Sequence, residues 1–419
     1  MKLLAISHGL VLGGAQLSTL EFLELLKDRV EVKVLTCDNA VNSFTQGLRN
    51  LGLEVYKVTC LRKLNYPIML YNPSVEKLVK WADIIWITDI EFTIAYQIKE
   101  IKKNIPIVAH LHSYALVCPW WGAYYSFRET CTRRCSIRRI IQCKLGINNE
   151  LSKVGYLNKR KACIYNGASF LKGPLDYTRW RQLVGDVVDN IDGFIAVSNS
   201  LWKIHVAHIP HLGNKPHVII KNPSVMPLKY ISPKPHKAYG NYIVYASGEN
   251  PLKGPHVLLK AWVAVSKELK DLKLYMIRCK DTCVERQAKK LALKNITFTD
   301  YVPPKEHYEL MYRARAVVMP SLWPEPFGRI PIEANRLGVP AIVSDTGGLP
   351  EIIINDTTGF IFKRGDPGDL ITKILKVFDL NFERQRIIDS SFEVVNPSES
   401  LNQLLDFFRD ITSSSKGVK

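Results

Sequence analysis

Two glutamates in the C-terminal half of the chain, Glu325 and Glu333, have the residue type and the setting to bind a sugar. Seven residues separate them in the segment SLWPEPFGRIPIEANRLGVPAIVSDTGGLPEII, residues 321–353. Glu325 lies between two prolines, which hold it on a stiff loop because they fix their own φ and restrict the residue before them. Glu333 is predicted in the first turns of the following helix, near its positive end. Carboxylates accept hydrogen bonds from sugar hydroxyls, so this segment favours a sugar-nucleotide site.

Glycines supply the other part of such a site, because a bound diphosphate needs close approach to backbone amides. Gly328 lies where the helix after Glu325 begins, and Gly13 and Gly14 precede the first predicted helix of the chain. Glycines at a strand-to-helix turn allow a phosphate to reach the amides and the positive helix end. A tight turn also requires glycine, so the pair Gly13 and Gly14 alone does not separate these two roles.

Two series of short apolar runs are predicted as the strands that position these residues. The first series lies at 2–7, 31–37, 53–58, 83–88, 106–112 and 192–198. The second lies at 242–247, 272–278, 295–302, 315–320 and 340–345. Strands that alternate with helix-like segments are typical of doubly wound parallel sheets, whose ligands bind at the carboxyl ends of the strands.

The chain is therefore predicted to be α/β, with two doubly wound domains. The predicted boundaries give a first domain, a proline-rich linker, a second domain, and a terminal helix with a polar tail: 1–222, 223–240, 241–395 and 396–419. A length of 419 residues agrees with two domains, since it exceeds one comfortable hydrophobic core.

Composition narrows the class of protein. There are 57 Lys and Arg residues against 39 Asp and Glu, a net charge of +18, which favours an anionic partner. No run approaches the roughly 20 apolar residues of a membrane span. The N-terminus, MKLLAISHGLVLGGAQ, is predicted as a first strand rather than a signal peptide. A cytosolic protein is expected, in which the nine cysteines would not form a disulfide framework.

The glutamate segment, together with VPPKEHYELMYRARAVVMPSLWPEPFG before it, resembles glycosyltransferase family 4. The family's Glu-x7-Glu signature and two flanking elements are matched, at Glu325 with Glu333, at Phe327-Gly328, and at Gly347-Gly348-Leu349-Pro350-Glu351. The resemblance extends from Gly13-Gly14 to Glu351 and is strongest in the second domain. It implies a GT-B fold, in which two Rossmann-like domains face each other across a cleft and the C-terminal helix packs back on the first domain. It also implies retaining, metal-independent transfer from a UDP- or GDP-sugar, with no other cofactor.

The resemblance assigns different roles to the matched residues. Glu325 would bond the hydroxyls of the donor sugar, and Glu333 would accept hydrogen bonds from the nucleotide ribose. The remaining donor contacts would come from glycines and their neighbours in both domains: Gly13, Gly14, Gly254, Phe327, Gly328, Arg329, Gly347 and Gly348.

His112 is the candidate for positioning the sugar from the first domain. In the family, a histidine followed by an aromatic residue and a Cys-Pro pair faces the donor sugar, and LHSYALVCPW, residues 111–120, fits that pattern. Ser113 stands where the family has an acidic residue. A histidine in a strand is also a common core residue, which is the favoured interpretation for His110.

Lys253 is the candidate cation for the donor diphosphate. The family carries an arginine and a lysine as a cationic pair; Lys253 matches the lysine, but Glu249 stands where the arginine is expected. An acid there would repel phosphate, with each charge interaction on the order of 1 to 4 kcal/mol near a surface. Arg329 or Arg278 could replace the missing cation, or Glu249 could point away.

Four cysteines lie close together in the sequence, at Cys118, Cys131, Cys135 and Cys143. Metal-binding cysteines are usually two to four residues apart, and only Cys131-x3-Cys135 has that spacing. A structural zinc or other thiolate site and simple buried thiols are both compatible with this pattern.

The segment 126–161 is strongly basic, with ten Lys and Arg residues against two Asp and Glu. Ile137, Ile140, Ile141 and Leu145 fall at helical spacing, which predicts an amphipathic basic helix. Such a helix can bind anionic headgroups, at about 1 kcal/mol per basic residue near the surface, or can be a solvated face above a buried stripe.

The sequence thus predicts a retaining glycosyltransferase acting on a glycan or lipid-linked acceptor, in the cytoplasm, where it could lie peripherally on the cytoplasmic membrane face. His112, Glu325 and Lys253 are its predicted catalytic residues. Two alternatives come from other classes of protein. A binding or regulatory protein could keep the fold without the chemistry, as Glu249 suggests. A nucleic-acid-binding protein would fit the charge of +18 but lacks a recognised module, so nucleic acid is the less favoured partner.

Overall fold

A computed structural model shows two parallel sheets flanked by helices. It describes residues 1–10, 13–63, 66–69, 72–88, 91–118, 124–125, 129–133, 135–136, 138–139, 142–143, 157–158, 161–162, 174–234 and 238–416. The part built on the first sheet is called the first domain below, and the part built on the second sheet is called the second domain.

The first sheet is parallel throughout. The strands up to residue 219 are β1 (Lys2–Ile6), β2 (Glu31–Cys37), β3 (Glu54–Val58), β4 (Cys60–Lys63), β5 (Tyr66–Met69), β6 (Ile84–Ile87), β7 (Ile107–Leu111), β8 (Tyr124–Tyr125), β9 (Glu129–Thr130), β10 (Leu157–Asn158), β11 (Lys161–Ala162), β12 (Gly193–Ala196) and β13 (His217–Ile219). Seven of them form the sheet, in the order β13-β12-β7-β6-β1-β2-β3. The other six pair as antiparallel hairpins: β4 with β5, β8 with β9, and β10 with β11.

Helices cover both faces of this sheet. They are α1 (Gly14–Leu26), α2 (Asn42–Asn50), α3 (Pro73–Trp81), α4 (Ile94–Ile101), α5 (Pro174–Asp189) and α6 (Asn199–His208). Sequence signals account for several of their starts. At α3, for example, the Asn72 side chain accepts hydrogen bonds from the amides of Ser74 and Val75, and Pro73 occupies the first helical position.

The second sheet repeats the design with six parallel strands. These are β14 (Tyr242–Tyr245), β15 (Lys273–Met276), β16 (Ile296–Phe298), β17 (Ala316–Met319), β18 (Ala341–Ser344) and β19 (Gly359–Phe362), in the order β16-β15-β14-β17-β18-β19. The helices that follow are α7 (Pro255–Glu268), α8 (Cys283–Lys290), α9 (Pro304–Arg313), α10 (Arg329–Arg336), α11 (Pro367–Asp379), α12 (Arg384–Val394) and α13 (Pro397–Lys416). Short 3-10 turns lie at Glu91–Thr93, Pro210–Asn214, Met226–Lys229, Pro251–Lys253 and Leu349–Glu351.

Both sheets reverse their strand order at one point, and that point determines where a ligand can bind. In the first sheet the reversal lies between β1 and β6, and in the second it lies between β14 and β17. The crevice outside the carboxyl ends of the strands at such a reversal is the usual ligand site of doubly wound sheets. Residues just after β14 and β17 are therefore the ones to compare with the predicted site.

The predicted α/β class with two doubly wound domains is confirmed. All the predicted strands are present, and most of them are apolar runs that the parallel sheets bury on both faces; the edge strands β3 and β16 are only partly buried. Within the two parallel sheets, β13 and β19 were not predicted, and neither were the six strands of the three antiparallel hairpins.

The C-terminal helix packs back on the first domain, as the family resemblance implied. Leu404 and Phe408 of α13 are fully buried in the same cluster as Phe22 and Trp86. The Phe408 and Trp86 rings are 6.0 Å apart between centroids. Residues from the end of the described chain thus complete the core of the first sheet.

The expectation that the cysteines form no disulfide is wrong at one pair. Cys37, the last residue of β2, is bonded to Cys60, the first residue of β4. The two positions are 23 residues apart in the sequence, and only the path of the chain through β3 brings them together. In the part of the chain that the structure describes, no helix is both long enough and apolar enough to cross a membrane.

Candidate active-site cleft

Glu325 lies just beyond the carboxyl end of β17 and is 4% exposed. Its Oε1 accepts hydrogen bonds from Ser321 Oγ at 2.6 Å, Trp323 Nε1 at 2.6 Å and Lys253 Nζ at 2.7 Å. Lys253 also donates to Oε2 at 2.9 Å and lies 4.7 Å from the centroid of the Trp323 ring. Since Lys253 follows β14, the pair spans the two strands at which the second sheet reverses its order. The carboxylate is therefore fixed and charge-paired at the expected ligand edge.

The glycine turn after β18 supports the loop that carries Glu325. Gly347 has φ of +60°, and a Cβ there would lie 2.2 Å from the Glu325 carbonyl oxygen. The Gly348 amide donates to the same carbonyl at 2.7 Å. Glycine is required at 347 because no side chain fits between the two backbones. The structure thus places Gly347 and Gly348 beneath the glutamate loop.

Glu333 lies in α10 and shares one guanidinium with a glutamate of the first domain. Arg329 donates to Glu333 Oε1 from Nε at 3.0 Å and from Nη2 at 2.7 Å. The same guanidinium donates to Glu21 Oε2 from Nη1 at 2.6 Å and to Glu21 Oε1 from Nη2 at 3.1 Å. All three side chains are buried. A charge cluster therefore crosses the cleft between α10 and α1.

The three charges of this cluster shift one another's protonation. Burial raises the pKa of Glu333, Arg329 opposes that effect, and the negative charge of Glu21 adds to it. Burial also acts to raise the pKa of Glu21, but Arg329 and two backbone amides outweigh it and hold that pKa below its ordinary value. Burial acts to lower the pKa of Arg329, and the two carboxylates more than offset this, so Arg329 stays charged.

The glycine loop of the first domain lies against this cluster. A Cβ on Gly14 would be 3.2 Å from Cδ of Arg329, so a larger residue there would press on the arginine. The Gly13 amide already donates to Gln16 Oε1 at 3.1 Å. Gly14 is therefore at the interface between the two domains, and the Gly13 amide is satisfied within the first.

His112 lies just after β7 and is nearly buried. Its ring centroid is 4.2 Å from that of His110, whose pKa is well below the ordinary value because of burial and the neighbouring His112. His110 is a core residue, packed against the rings of Phe22 and Trp86.

A ring contact joins the segment after His112 to the Glu325 loop. The Tyr114 ring meets the Trp323 ring edge-on, with centroids 6.1 Å apart, and Trp323 donates to Glu325. Burial, and then the charges of Glu325 and Glu351, raise the pKa of Tyr114. The strand end that carries His112 and the loop that carries Glu325 are therefore brought together across the cleft.

Glu351 forms a second contact between the domains. Its carboxylate accepts from the amides of Asn199 at 2.9 Å and Ser200 at 2.8 Å, at the start of α6 in the first domain. Ser198 Oγ donates to the Pro326 carbonyl at 2.6 Å. A carboxylate at a helix start satisfies amides that have no partner within the helix and is stabilised by the helix dipole.

The other predicted site residues lie around these contacts. Gly254 immediately precedes α7 with φ of +69°, with its α-carbon facing the Pro320 carbonyl, and Gly328 immediately precedes α10. The Phe327 side chain is buried in the core. Glu249 is exposed, and its Oε2 is 3.9 Å from Cys283 Sγ, so its carboxylate faces the start of α8. Arg278 lies 4.9 Å over the Tyr301 ring.

The cysteines predicted to cluster do lie near one another. Burial, and then the neighbouring thiols of Cys118, Cys131 and Cys143, raise the pKa of Cys135. Within the described ranges, however, no group of three or more His, Cys, Asp or Glu side chains is arranged to hold a metal ion. A metal site at these four cysteines is therefore not supported. Ile137, Ile140, Ile141, Leu145 and most of the segment 126–161 lie outside the described residues.

Sequence reasoning missed four residues of the cleft: Glu21, Ser321, Trp323 and Glu351 as an interdomain contact. Glu21 had a usable signal, since it is an acid inside the apolar run TLEFLELL of α1. A charged residue among core positions of a helix is buried only when it is paired, so it predicts a cationic partner. The sequence does not say that this partner is Arg329.

Comparison with known proteins agrees with this geometry. Residues 229–394 match the family of glycosyl transferases group 1. Spore coat protein SA of Bacillus subtilis is 33% identical over 133 residues, which are 29% of this chain and 35% of that protein. A D-inositol 3-phosphate glycosyltransferase of Corynebacterium kroppenstedtii is 29% identical over 150 residues, 34% of this chain and 33% of that protein. The chain thus spans about a third of the length of these curated relatives.

Solved structures extend the likeness over the whole fold. HepE from Anabaena, solved in complex with UDP and glucose, superposes with a TM-score of 0.67 at 17% identity, covering 98% of this chain and 100% of that one. At this identity the likeness concerns architecture. The two Rossmann-like domains facing across a cleft are those of the GT-B fold.

Proposed function

We propose that the protein is a retaining glycosyltransferase that moves a sugar from a nucleoside-diphosphate sugar to an acceptor hydroxyl. The observation that carries the proposal is Glu325, a buried carboxylate bonded to Lys253 at the strand reversal of the second sheet. Both residues fall inside 229–394, which match the glycosyl transferases group 1 family. The two domains together supply what a nucleotide sugar needs: carboxylates for hydroxyls, and a cation beside a helix start for the diphosphate.

The proposed donor is a UDP- or GDP-sugar. Its diphosphate would lie beside Lys253 and the start of α7, its sugar against Glu325, and its ribose against Glu333. The structure of HepE with UDP and glucose supports a uridine nucleotide as the first probe. His112 would hydrogen-bond the sugar and position its anomeric carbon. Glycine contacts from Gly13 and Gly14 belong to the same proposal.

The proposed chemistry is front-face displacement. The bond between the anomeric carbon and the diphosphate oxygen breaks while the acceptor oxygen forms its bond on the same face. The acceptor's proton passes to the departing diphosphate oxygen. Catalysis would rest on positioning, and on stabilisation of the leaving group by Lys253 and the start of α7. No divalent metal has a role in this scheme.

The acceptor is proposed to be a glycan or a lipid-linked hydroxyl. The basic segment 126–161 would hold the protein on an anionic membrane surface from the cytoplasmic side, and a net charge of +18 supports a phosphate-bearing partner. Nucleic acid is the less favoured anion, and salt-dependent RNA binding that survives neutralisation of the 126–161 charges would argue for it.

The proposal is tested by measuring sugar transfer and donor hydrolysis with Glu325→Gln, His112→Ala and Lys253→Ala. A thermal-shift screen of nucleoside diphosphates and their sugars first identifies the donor, because a ligand that binds the native state raises the melting temperature. Unchanged turnover in all three variants would contradict the assignment.

A second candidate is a GT-B-fold binding protein without transfer activity. It is favoured by Glu249, an exposed acid at the position where family 4 has an arginine. Calorimetry with the nucleotide sugar found in the screen, followed by a product assay, separates the two. Binding without product would favour this candidate.

A further inference from the structure

Every N–H donor of the Arg329 guanidinium is used in a hydrogen bond. An arginine has five N–H donors. Those of Arg329 make five hydrogen bonds: two to Glu21, two to Glu333, and one from Nη1 to Ser18 Oγ at 2.8 Å. The plane of the guanidinium is therefore fixed by partners on α1 and α10 together. Any residue that Arg329 orients is oriented by both domains.

Glu21 is itself fixed from a third direction. Its Oε1 accepts from the Met226 amide at 2.8 Å and its Oε2 from the Ser224 amide at 3.2 Å, so each oxygen has one arginine and one backbone donor. Ser224 has φ of +51°, a conformation that non-glycine residues adopt at a cost and that persists only where neighbours impose it. The segment between the domains is thus tied to the same carboxylate.

Glu333 is held by one oxygen only. Both of its hydrogen bonds from Arg329 fall on Oε1, and within the described part of the chain Oε2 makes none. A carboxylate with one oxygen fixed by a guanidinium presents the other in a set direction. Oε2 is therefore the oxygen of Glu333 that is left to accept from a ligand hydroxyl.

We infer that Glu21 is a positioning residue for the nucleotide: through Arg329 it orients Glu333 toward the donor ribose, so that the first domain completes the ribose site of the second. This rests on the proposed function, in which Glu333 receives the ribose hydroxyls. Glu21 itself touches no part of the donor. Its effect is expected only on ligands that carry ribose hydroxyls.

The pH dependence of nucleotide binding gives a second test, because Glu21 affects the pKa of Glu333. Two carboxylates share one guanidinium, which makes two hydrogen bonds to each; the pKa of Glu21 is lowered with the help of the Met226 and Ser224 amides, while that of Glu333 is raised. Tyr308 of α9 also faces Glu333, and Arg336 of α10 faces Glu21. Replacing Glu21 by glutamine would leave Glu333 alone with Arg329 and lower its pKa. The acid limb of nucleotide binding would then move to lower pH.

The experiment compares UDP with 2′,3′-dideoxy-UDP by calorimetry, with GDP and its dideoxy analogue run in parallel. The native protein should bind UDP about tenfold tighter than the dideoxy compound, which corresponds to about 1.4 kcal/mol. In Glu21→Gln most of this tenfold preference should disappear. Its affinity for UDP should fall, while its affinity for the dideoxy compound should stay within about twofold of the native value. Its UDP binding should also fall off at lower pH than in the native protein.

Glu24→Gln is the matched control. Glu24 lies on the same helix and pairs with Lys229 of the segment between the domains, but it has no bond to Arg329. This variant should keep the native ratio. If Glu21→Gln unfolds, the double variant Glu21→Gln with Arg329→Met removes both charges of the pair and should show the same loss of ratio.

The outcomes are distinguishable. A native ratio that persists in Glu21→Gln, or in the double variant, overturns the inference and leaves the proposed function standing. Equal binding of UDP and its dideoxy analogue by the native protein overturns the ribose role of Glu333 and the inference with it. Failure of the native protein to bind either nucleoside diphosphate overturns the proposed function itself.

Discussion

The two glutamates of the cleft are built in opposite ways. Glu325 takes all its donors from Lys253, Ser321 and Trp323, which belong to the second domain. Glu333 takes its donors from Arg329, whose charge is shared with Glu21 of the first domain. The difference shows that the Glu325 side chain is fixed within one domain, whereas the setting of the Glu333 side chain depends on how the two domains meet.

The largest expected difference between the two glutamates is in the stability lost when the cation beside each one is replaced. Arg329→Met should lower the free energy of unfolding by about 3–5 kcal/mol, because it leaves two buried carboxylates without a charge partner. Lys253→Met should cost less, about 1–3 kcal/mol, because Glu325 keeps Ser321 and Trp323 and the Lys253 side chain is 23% exposed. Urea denaturation measures both.

Equal losses in the free energy of unfolding would contradict the distinction between Arg329, which pairs with carboxylates of both domains, and Lys253, which pairs with one. Adding Glu21→Gln to Arg329→Met provides the control, since removal of both charges should recover part of the lost stability.

Replacing the two glutamates should change different kinetic parameters, kcat for Glu325 and KM for Glu333. Glu325→Gln should lower kcat by about 10²–10³, the usual effect of removing one preorganised charge contact at a reacting centre. Glu333→Gln should instead raise KM about tenfold with a smaller change in kcat, because the ribose is bound equally in ground and transition states. Steady-state assays with the identified donor test this. Matching changes in kcat would contradict the assigned division of roles.

Among the described residues, a glycine turn supports the backbone of Glu325 but not that of Glu333, and two alanine variants measure what this support contributes. Gly347→Ala should lower the free energy of unfolding by about 2–4 kcal/mol, because of its positive φ and the contact with the Glu325 backbone. Gly365→Ala is the control, since Gly365 has φ of +73° but its Cβ would meet only Leu322 Cδ2, at 3.4 Å. It should cost about 1 kcal/mol. Equal losses of stability in the two variants, measured by urea denaturation, would show that the contact with the Glu325 backbone contributes nothing.

The smallest expected effect concerns pH. Glu21 has a lowered pKa, so its contribution to stability is complete above the ordinary value of 4.5 and is lost as the pH falls through the lowered folded value. Glu333 has the opposite sign: its raised pKa favours the folded state while the group is protonated, and this contribution declines as the pH rises above 4.5. Glu21→Gln removes the Glu21 contribution, and the lower pKa that Glu333 would then have replaces part of it, so the variant should lose less stability than the native protein below pH 4.5, by at most about 1 kcal/mol. A larger acid loss in the variant, measured by urea denaturation, would contradict the assignment.

The sequence placed Glu325 and Lys253 at one sheet edge but did not reveal the partner of Glu333, for a physical reason. Glu325 and its loop donors are neighbours in the sequence, and Lys253 follows the strand that pairs with β17, so local pattern and topology together place them. The partner of Glu333 depends on how α1 meets α10, and no local pattern encodes that meeting. The same reason explains why the Cys37–Cys60 bond and the contact of Glu351 with α6 were not predicted.

Strands were predicted where burial on both faces made an apolar run, and missed where the run was short. β13 and β19 lie at the edges of their sheets, but so do β3 and β16, which were predicted, so edge position alone does not explain the two that were missed. The predicted domain boundaries at 222, 240 and 395 stay predictions, although the sheets lie on either side of them.

The return of α13 to the first domain means that the chain crosses between the domains twice, and the crossings are joined. Lys221 Nζ donates to the Val394 carbonyl at 3.0 Å, and Ser400 Oγ donates to the Lys221 carbonyl at 3.0 Å. Two covalent connections that are hydrogen-bonded to each other form a single joint, and any relative movement of the domains is expected to pivot there. They also set an order of assembly. The first domain is synthesised first, but its core around Trp86 includes Leu404 and Phe408 of α13. Its folding is therefore expected to be complete only after α13 has been synthesised.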